Sequence, residues 1–540
     1  MLCNRCLVLL LVLGLCLPAL ALADQASVRE DKQADENARS QTTEASVKTV
    51  DALSRAWLAH TALQHSLVGL EIMELPAGRV LFSLNGSRRF VPASVAKLIT
   101  TACALDTLGA DFRYQTRLIA RGPIKKDRLL GDLIIVPSQD PTLDTQDLRE
   151  LFAALSERKV KRIEGKLKLR TVPGGFDQFC PGWLAEDWGQ DWMPVSSNFV
   201  LDHNVAPGRD PGRGWPVTTR SLADEQSALA RSLLSSNLAP AWVSFDPGTK
   251  SATVYRSPFP SMSASGGAVV ANPDEYNLAA ATTILRSMGL QVESRSLARS
   301  ESDDEPLSEI VSKPLTEIIK TTLHESDNLY AQQLLRTIGA VSRSARAGEE
   351  VPLEESGLSR LRDWLANIGV HPSEVVLFDG CGLSRKNCVT PHALNMVLKH
   401  MAGPNLDGAY LGLLRQDGNP NSQHSSFRFK TGAMDCVRCV TGIARTAAGD
   451  GLAVSVMVNG HTASIRDLRA VISSLTSRLE LLPSLGTSVS KSQVEPKTTS
   501  GRLRATAKPA KRRTTRSTTP RSKQLPAPIR GKRARTAAKS

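Results

Sequence analysis

The composition of the last fifty residues sets the limit on what this chain can fold into. Residues 491–540 hold 16 Lys and Arg against one acid, Glu495, a balance of +15 set among Ser, Thr and Pro with few apolar side chains. Such a segment cannot bury enough apolar surface to offset the entropy of ordering it, so 483–540 is predicted to be a disordered basic tail. The whole chain has 540 residues and a net charge of +14, which leaves −1 for the other 490. Its basicity therefore belongs to one end. A nucleic-acid binder would spread positive charge over a folded face, and no nucleic acid is expected as a partner.

At the other end, Arg5, the apolar run from Cys6 to Leu22 and Ala21-Leu22-Ala23 before Asp24 read as a signal peptide over 1–23. An exported protein is expected, with 24–45 as a flexible leader. Order begins where Val47, Val50, Leu53, Trp57 and Leu58 recur at helical spacing, followed by a hairpin of Leu67 to Leu75 and Val80 to Leu84 around Pro76-Ala77-Gly78. From 121 to 304 the texture changes to short strands and turns, a β-rich insert with room for two subdomains. Helical patterns resume over Leu315 to Ile338 and Leu358 to Ile368. Strand, strand, strand, helix then follow at Phe427 to Thr431, Val437 to Thr446, Leu452 to Asn459 and Ala463 to Leu482. Segments 46–120 and 305–482 are thus two parts of one α/β domain, an antiparallel sheet with flanking helices.

Three short patterns carry chemistry. Ser94-Val95-Ala96-Lys97 sets a hydroxyl and an amine on one helix face, with Ser94 at or near the helix start, where free N–H groups can hold an oxyanion. A lysine that is partly neutral can activate such a serine. Ser326-Asp327-Asn328 offers a hydroxyl and an amide that a tight turn or helix end would aim inward; Asp327 is read as solvent-exposed. Lys430-Thr431-Gly432 ends a strand, where the first two residues suit an anionic substrate terminus and glycine admits a substrate backbone. No cofactor and no metal site are implied, since Cys436-x-x-Cys439 has no second pair.

The ordered set Ser-x-x-Lys, Ser-Asp-Asn and Lys-Thr-Gly marks class A β-lactamases and penicillin-binding proteins. The 232 residues from Ser94 to Ser326 are too many for a β-lactamase. With Asp140-Pro141-Thr142-Leu143, Pro181-Gly182-Trp183 and Asp379-Gly380-Cys381-Gly382-Leu383-Ser384, the chain resembles the low-molecular-mass class C penicillin-binding proteins, the D-alanyl-D-alanine carboxypeptidase/endopeptidase family. The resemblance implies a β-lactamase/transpeptidase-like serine acyltransferase fold, peptidoglycan stem peptides as substrates and β-lactam antibiotics as ligands. It implies Ser94 as nucleophile, Lys97 as base, Ser326 as proton relay and Asn328 as an orienting amide. Lys430 and Thr431 would bind the substrate carboxylate, the N–H groups of Ser94 and Ala433 would form the oxyanion hole, and Asp187 would reach a cationic amine on the stem peptide. This sequence departs from the family pattern at Pro137-Ser138-Gln139, where small residues are usual, at Cys381 for serine, and at Ala433 for a hydroxyl residue. A wall-binding protein with a decayed site is the alternative those departures leave. One or two disulfides are expected among Cys381, Cys388, Cys436 and Cys439. The tail suits an anionic wall polymer or lipid surface.

Overall fold

A computed structural model describes residues 44–485 except 172–179, 188, 191, 194, 207–240, 247–250, 257–267, 271, 299–304, 345–350, 405, 407 and 417–425. The expected export signal, nearly all of the leader and nearly all of the basic tail lie outside the described residues.

Sequence alternation in the strands builds the main sheet. In Leu67–Leu75 and Gly451–Asn459 almost every residue is buried, because successive side chains serve two cores. Leu70, Ile72, Leu452, Val454, Val456 and Val458 face one core, while Met73, Leu75, Ala453 and Met457 face the other. These two strands pair antiparallel, Leu67 with Asn459 through Leu75 with Gly451, so early and late parts of the chain meet at the centre. The strand order is Arg415–Gln416, Arg428–Met434, Val437–Arg445, Gly451–Asn459, Leu67–Leu75, Arg79–Leu84. Helix Ile465–Glu480 covers one face. Ser464 caps it by accepting the Asp467 N–H (3.1 Å), and Leu468, Val471, Ile472, Leu475 and Leu479 are buried, each worth roughly 1.5–3 kcal/mol. Helix 44–58 joins that face through Trp57, whose Nε1 donates to Val471 O (2.8 Å).

On the other face lie helices Lys97–Leu108 and Pro391–Ala402, with Leu315–His324, Asn328–Ser344 and Leu353–Asn367 beyond. The single helical pattern from Leu315 to Ile338 is broken in two. Ser326 has φ +61°, and Asp327 accepts the Tyr330 N–H (2.9 Å), so its carboxylate caps a new helix instead of continuing the old one. The helix Pro391–Ala402 was not anticipated, although Thr390 caps it and Pro391 starts it.

The intervening segment forms a seven-stranded sheet and a four-stranded sheet. The larger includes Gln115–Arg121 paired with Ser308–Val311, and so extends beyond both 121 and 304. It is not only β: helices Thr145–Glu157 and Pro273–Ser287 contribute to its core, the first closed by a capping box at Asp144. Among the described residues no helix is long and apolar enough to cross a membrane.

Candidate active site

The nucleophile segment is held on both sides before any chemistry is considered. Val91 N–H donates to Asn459 Oδ1 (2.9 Å) and Val91 O accepts from Asn459 Nδ2 (3.2 Å), which pins the chain to the end of a central strand. A 3-10 turn Ala93–Ala96 follows, and Lys97 opens the helix Lys97–Leu108. Ala93 is wholly buried at φ +48°.

Lys97 is fully buried, and its Nζ meets three oxygens: Ser94 Oγ at 3.0 Å, Asn328 Oδ1 at 2.5 Å and Cys381 O at 2.7 Å. Asn328 Oδ1 and Cys381 O can only accept. A neutral amine has two N–H bonds and one lone pair, so satisfying those two acceptors turns the lone pair on the Ser94 hydroxyl. Burial lowers the Lys97 pKa from the ordinary lysine value, against the opposing charges of Asp379 and Asp327. The amide of Asn328 is itself fixed, since Nδ2 donates to Trp192 O (2.7 Å) from the insert.

Cys381 touches Lys97 through its backbone carbonyl, which explains why thiol for hydroxyl leaves that contact in place. Its side chain sits among Ala331 and Leu383, and burial raises its pKa well above the usual thiol range, so it stays neutral. Asp379 organises the loop by accepting from Gly382 N (2.7 Å), Ser384 N (2.6 Å), Asn387 Nδ2 (2.9 Å) and Trp183 Nε1 (2.9 Å). Gly382, at φ +86°, has no room for a side chain: a Cβ would fall 2.0 Å from Ala93 O.

Lys430 is also buried, and its Nζ donates to Ser326 Oγ (2.8 Å) and Thr431 O (3.1 Å). Burial, with the charges of Lys97, Arg415 and Arg438, pushes its pKa well below the ordinary value. Among the described residues Arg415–Gln416 pairs only with Arg428 and Phe429, so the strand from Lys430 to Met434 presents its edge beside the nucleophile. A Cβ on Gly432 would lie 2.5 Å from Pro92 O and 3.0 Å from Ser94 N. Gly432→Ala is therefore expected to push the strand off Ser94, to slow acylation about 10²-fold, the scale of a misplacement near 1 Å, and to lower the melting midpoint, because the atoms it meets are backbone. Stopped-flow acylation by a chromogenic β-lactam and a thermal scan check both halves.

Asp327 is not exposed as the sequence suggested. Only 7% of its side chain is accessible, and Oδ2 lies 3.1 Å from His203 Nε2 of the insert, whose ring stacks on Tyr330 at 5.2 Å. Burial raises its pKa, but His203, the Tyr330 N–H and Lys97 outweigh that and the net shift is downward. His203 was missed by sequence reading because it lies 124 residues away and sits in a run of three left-handed residues, Asp202, His203 and Asn204. His203→Phe keeps a ring for the stack but strands a buried carboxylate beside Lys97. We expect about 2 kcal/mol of lost stability and roughly tenfold slower acylation, both largely recovered by adding Asp327→Asn. Chemical denaturation and acylation rates of the two single variants and the double variant measure this.

Asp187 is 6% exposed and turned into its own loop, where Oδ1 accepts from Trp192 Nε1 (3.2 Å) and Oδ2 from Leu184 N (3.1 Å). Gln139 occupies φ +67°, a conformation that suits glycine, and this accounts for the small residues usual there. All six cysteines among the described residues are free thiols, not the one or two disulfides expected. Cys381 and Cys439 lie in different apolar clusters, and Cys436 is exposed.

A serine held against a buried lysine, with a second lysine bonded to a second serine beside an open strand edge, defines a serine acyltransferase site. The family model for D-Ala-D-Ala carboxypeptidase 3 (S13) matches residues 50–479, and the chain belongs to that family. Among its relatives, D-alanyl-D-alanine carboxypeptidase DacB of Haemophilus influenzae is 24% identical over 424 residues, 74% of this chain and 86% of the relative. The D-alanyl-D-alanine carboxypeptidase of Actinomadura is 26% identical over 447 residues, 75% and 80% respectively. The crystal structure of penicillin binding protein 4 from Haemophilus influenzae shares the fold, with a TM-score of 0.62 and 22% identity over 80% of this chain and 98% of that one.

Proposed function

We propose that this protein is an exported serine-type D-alanyl-D-alanine carboxypeptidase/endopeptidase that cleaves peptidoglycan stem peptides through an acyl-enzyme and is acylated by β-lactams at the same serine. The observation that carries the reading is the set of three oxygens around Lys97 Nζ, which leaves the amine one direction for a lone pair, toward Ser94. Ser94 Oγ attacks the carbonyl of the penultimate D-alanine and passes its proton to Lys97. The backbone N–H groups of Ser94 and Ala433 stabilise the oxyanion, and Ser326, bonded to Lys430, relays a proton to the leaving D-alanine nitrogen. Water then hydrolyses the ester, with Lys97 again as base. Lys430 and Thr431 bind the terminal carboxylate. The decayed-site alternative is not favoured, because the replacement at Cys381 leaves the Lys97 contact intact.

Incubation with a stem pentapeptide and with a cross-linked dimer tests the activity. Release of one D-alanine, or conversion of dimer to monomers, is expected. Neither product, in a preparation that is folded by circular dichroism, would refute it.

A further inference from the structure

Arg438 lies on the strand next to Lys430-Thr431-Gly432 and has no assigned task. It pairs in register with Ala433, so Thr431, Ala433 and Arg438 share one face of the sheet. That residue is 6% exposed, and its Nε is buried without a hydrogen-bond partner. Among the described residues no carboxylate forms an ion pair with it. The charges that it feels most are cationic: Arg469 acts on it, and it acts in turn on Lys430. Asp435, on the adjoining turn, is 89% exposed and stands 4.0 Å from Arg385 instead. A buried guanidinium with no counter-ion is costly, and it is tolerable where a ligand brings the opposite charge.

The strand edge needs such a group. Lys430 Nζ already donates to Ser326 Oγ and Thr431 O, which leaves it a single N–H for the carboxylate, and the methyl group of Ala433 can donate nothing. We infer that Arg438 is the residue that selects substrates with a free terminal carboxylate, reaching past Ala433 to hold that anion with its guanidinium fork. This rests on the proposed function, since a peptide ending in D-alanyl-D-alanine presents a carboxylate at that edge. An arginine fork matches a carboxylate in two parallel hydrogen bonds, which a hydroxyl at 433 could not do alone.

Binding without turnover tests it. In full-length Ser94→Ala protein, affinity is measured for an acyl-D-alanyl-D-alanine peptide and for the same peptide as its C-terminal amide. Adding Arg438→Gln should weaken the acid about 10- to 100-fold, the range for charge-assisted hydrogen bonds, and leave the amide within twofold. Arg438→Lys should fall between, and Ala433→Thr added to Arg438→Gln should restore part of the acid affinity. The melting midpoint of Arg438→Gln should equal or exceed that of its parent, because no protein partner is lost. Equal loss for acid and amide, or no loss for either, would overturn the inference. If peptide cleavage by the Ser94 protein fails while acid binding still depends on Arg438, the catalytic reading falls and this one stands.

Discussion

Ser94→Ala is expected to abolish β-lactam labelling and to reduce release of D-alanine by about 10⁴-fold or more, because Ser94 Oγ is the hydroxyl that Lys97 Nζ meets at 3.0 Å. The fold should survive. Ser94 is partly accessible in a short turn whose anchors are Val91, Asn459 and the buried Ala93, none of which depends on the hydroxyl. Denaturation curves that coincide with wild type, beside lost labelling, separate the chemistry from the scaffold. Retained turnover would place the nucleophile elsewhere.

Lys97→Ala should cost acylation about 10²- to 10⁴-fold, the usual contribution of a positioned general base. The pH dependence carries more information. Lys97 works as a base only when neutral, so the acylation rate should rise with pH along a limb whose midpoint lies below the ordinary lysine value of 10.5, the direction in which burial moves it. That limb should vanish in Lys97→Ala. A rising limb of unchanged midpoint in the variant would remove Lys97 from the role of base.

The site was legible where its parts are local in sequence. Ser94 and Lys97 are three residues apart on one turn, and Lys430 to Gly432 end a strand that alternation makes visible. The first hairpin and the last three strands were legible for the same reason. What stayed hidden is carried by backbone atoms or by distant segments: Cys381 acts through its carbonyl, Trp192 through its carbonyl, and His203 through a left-handed run in the insert. Asp327 looked exposed because nothing near it in sequence announces a histidine partner. The helical pattern through Ser326 was real on both sides of the break, but periodicity cannot see a capping carboxylate. Asp187 was placed by resemblance to a local motif, and the hydrogen bonds that turn it inward come from Trp192 and Leu184.

The most direct test of the account is to locate the adduct. Purified protein is incubated with a fluorescent penicillin, digested, and the labelled peptide sequenced by mass spectrometry, with a known penicillin-binding enzyme as control. The arrangement of Lys97, Asn328 and Cys381 around one hydroxyl predicts a single acyl group, on Ser94. An adduct on another residue, or none under conditions that label the control, would contradict it.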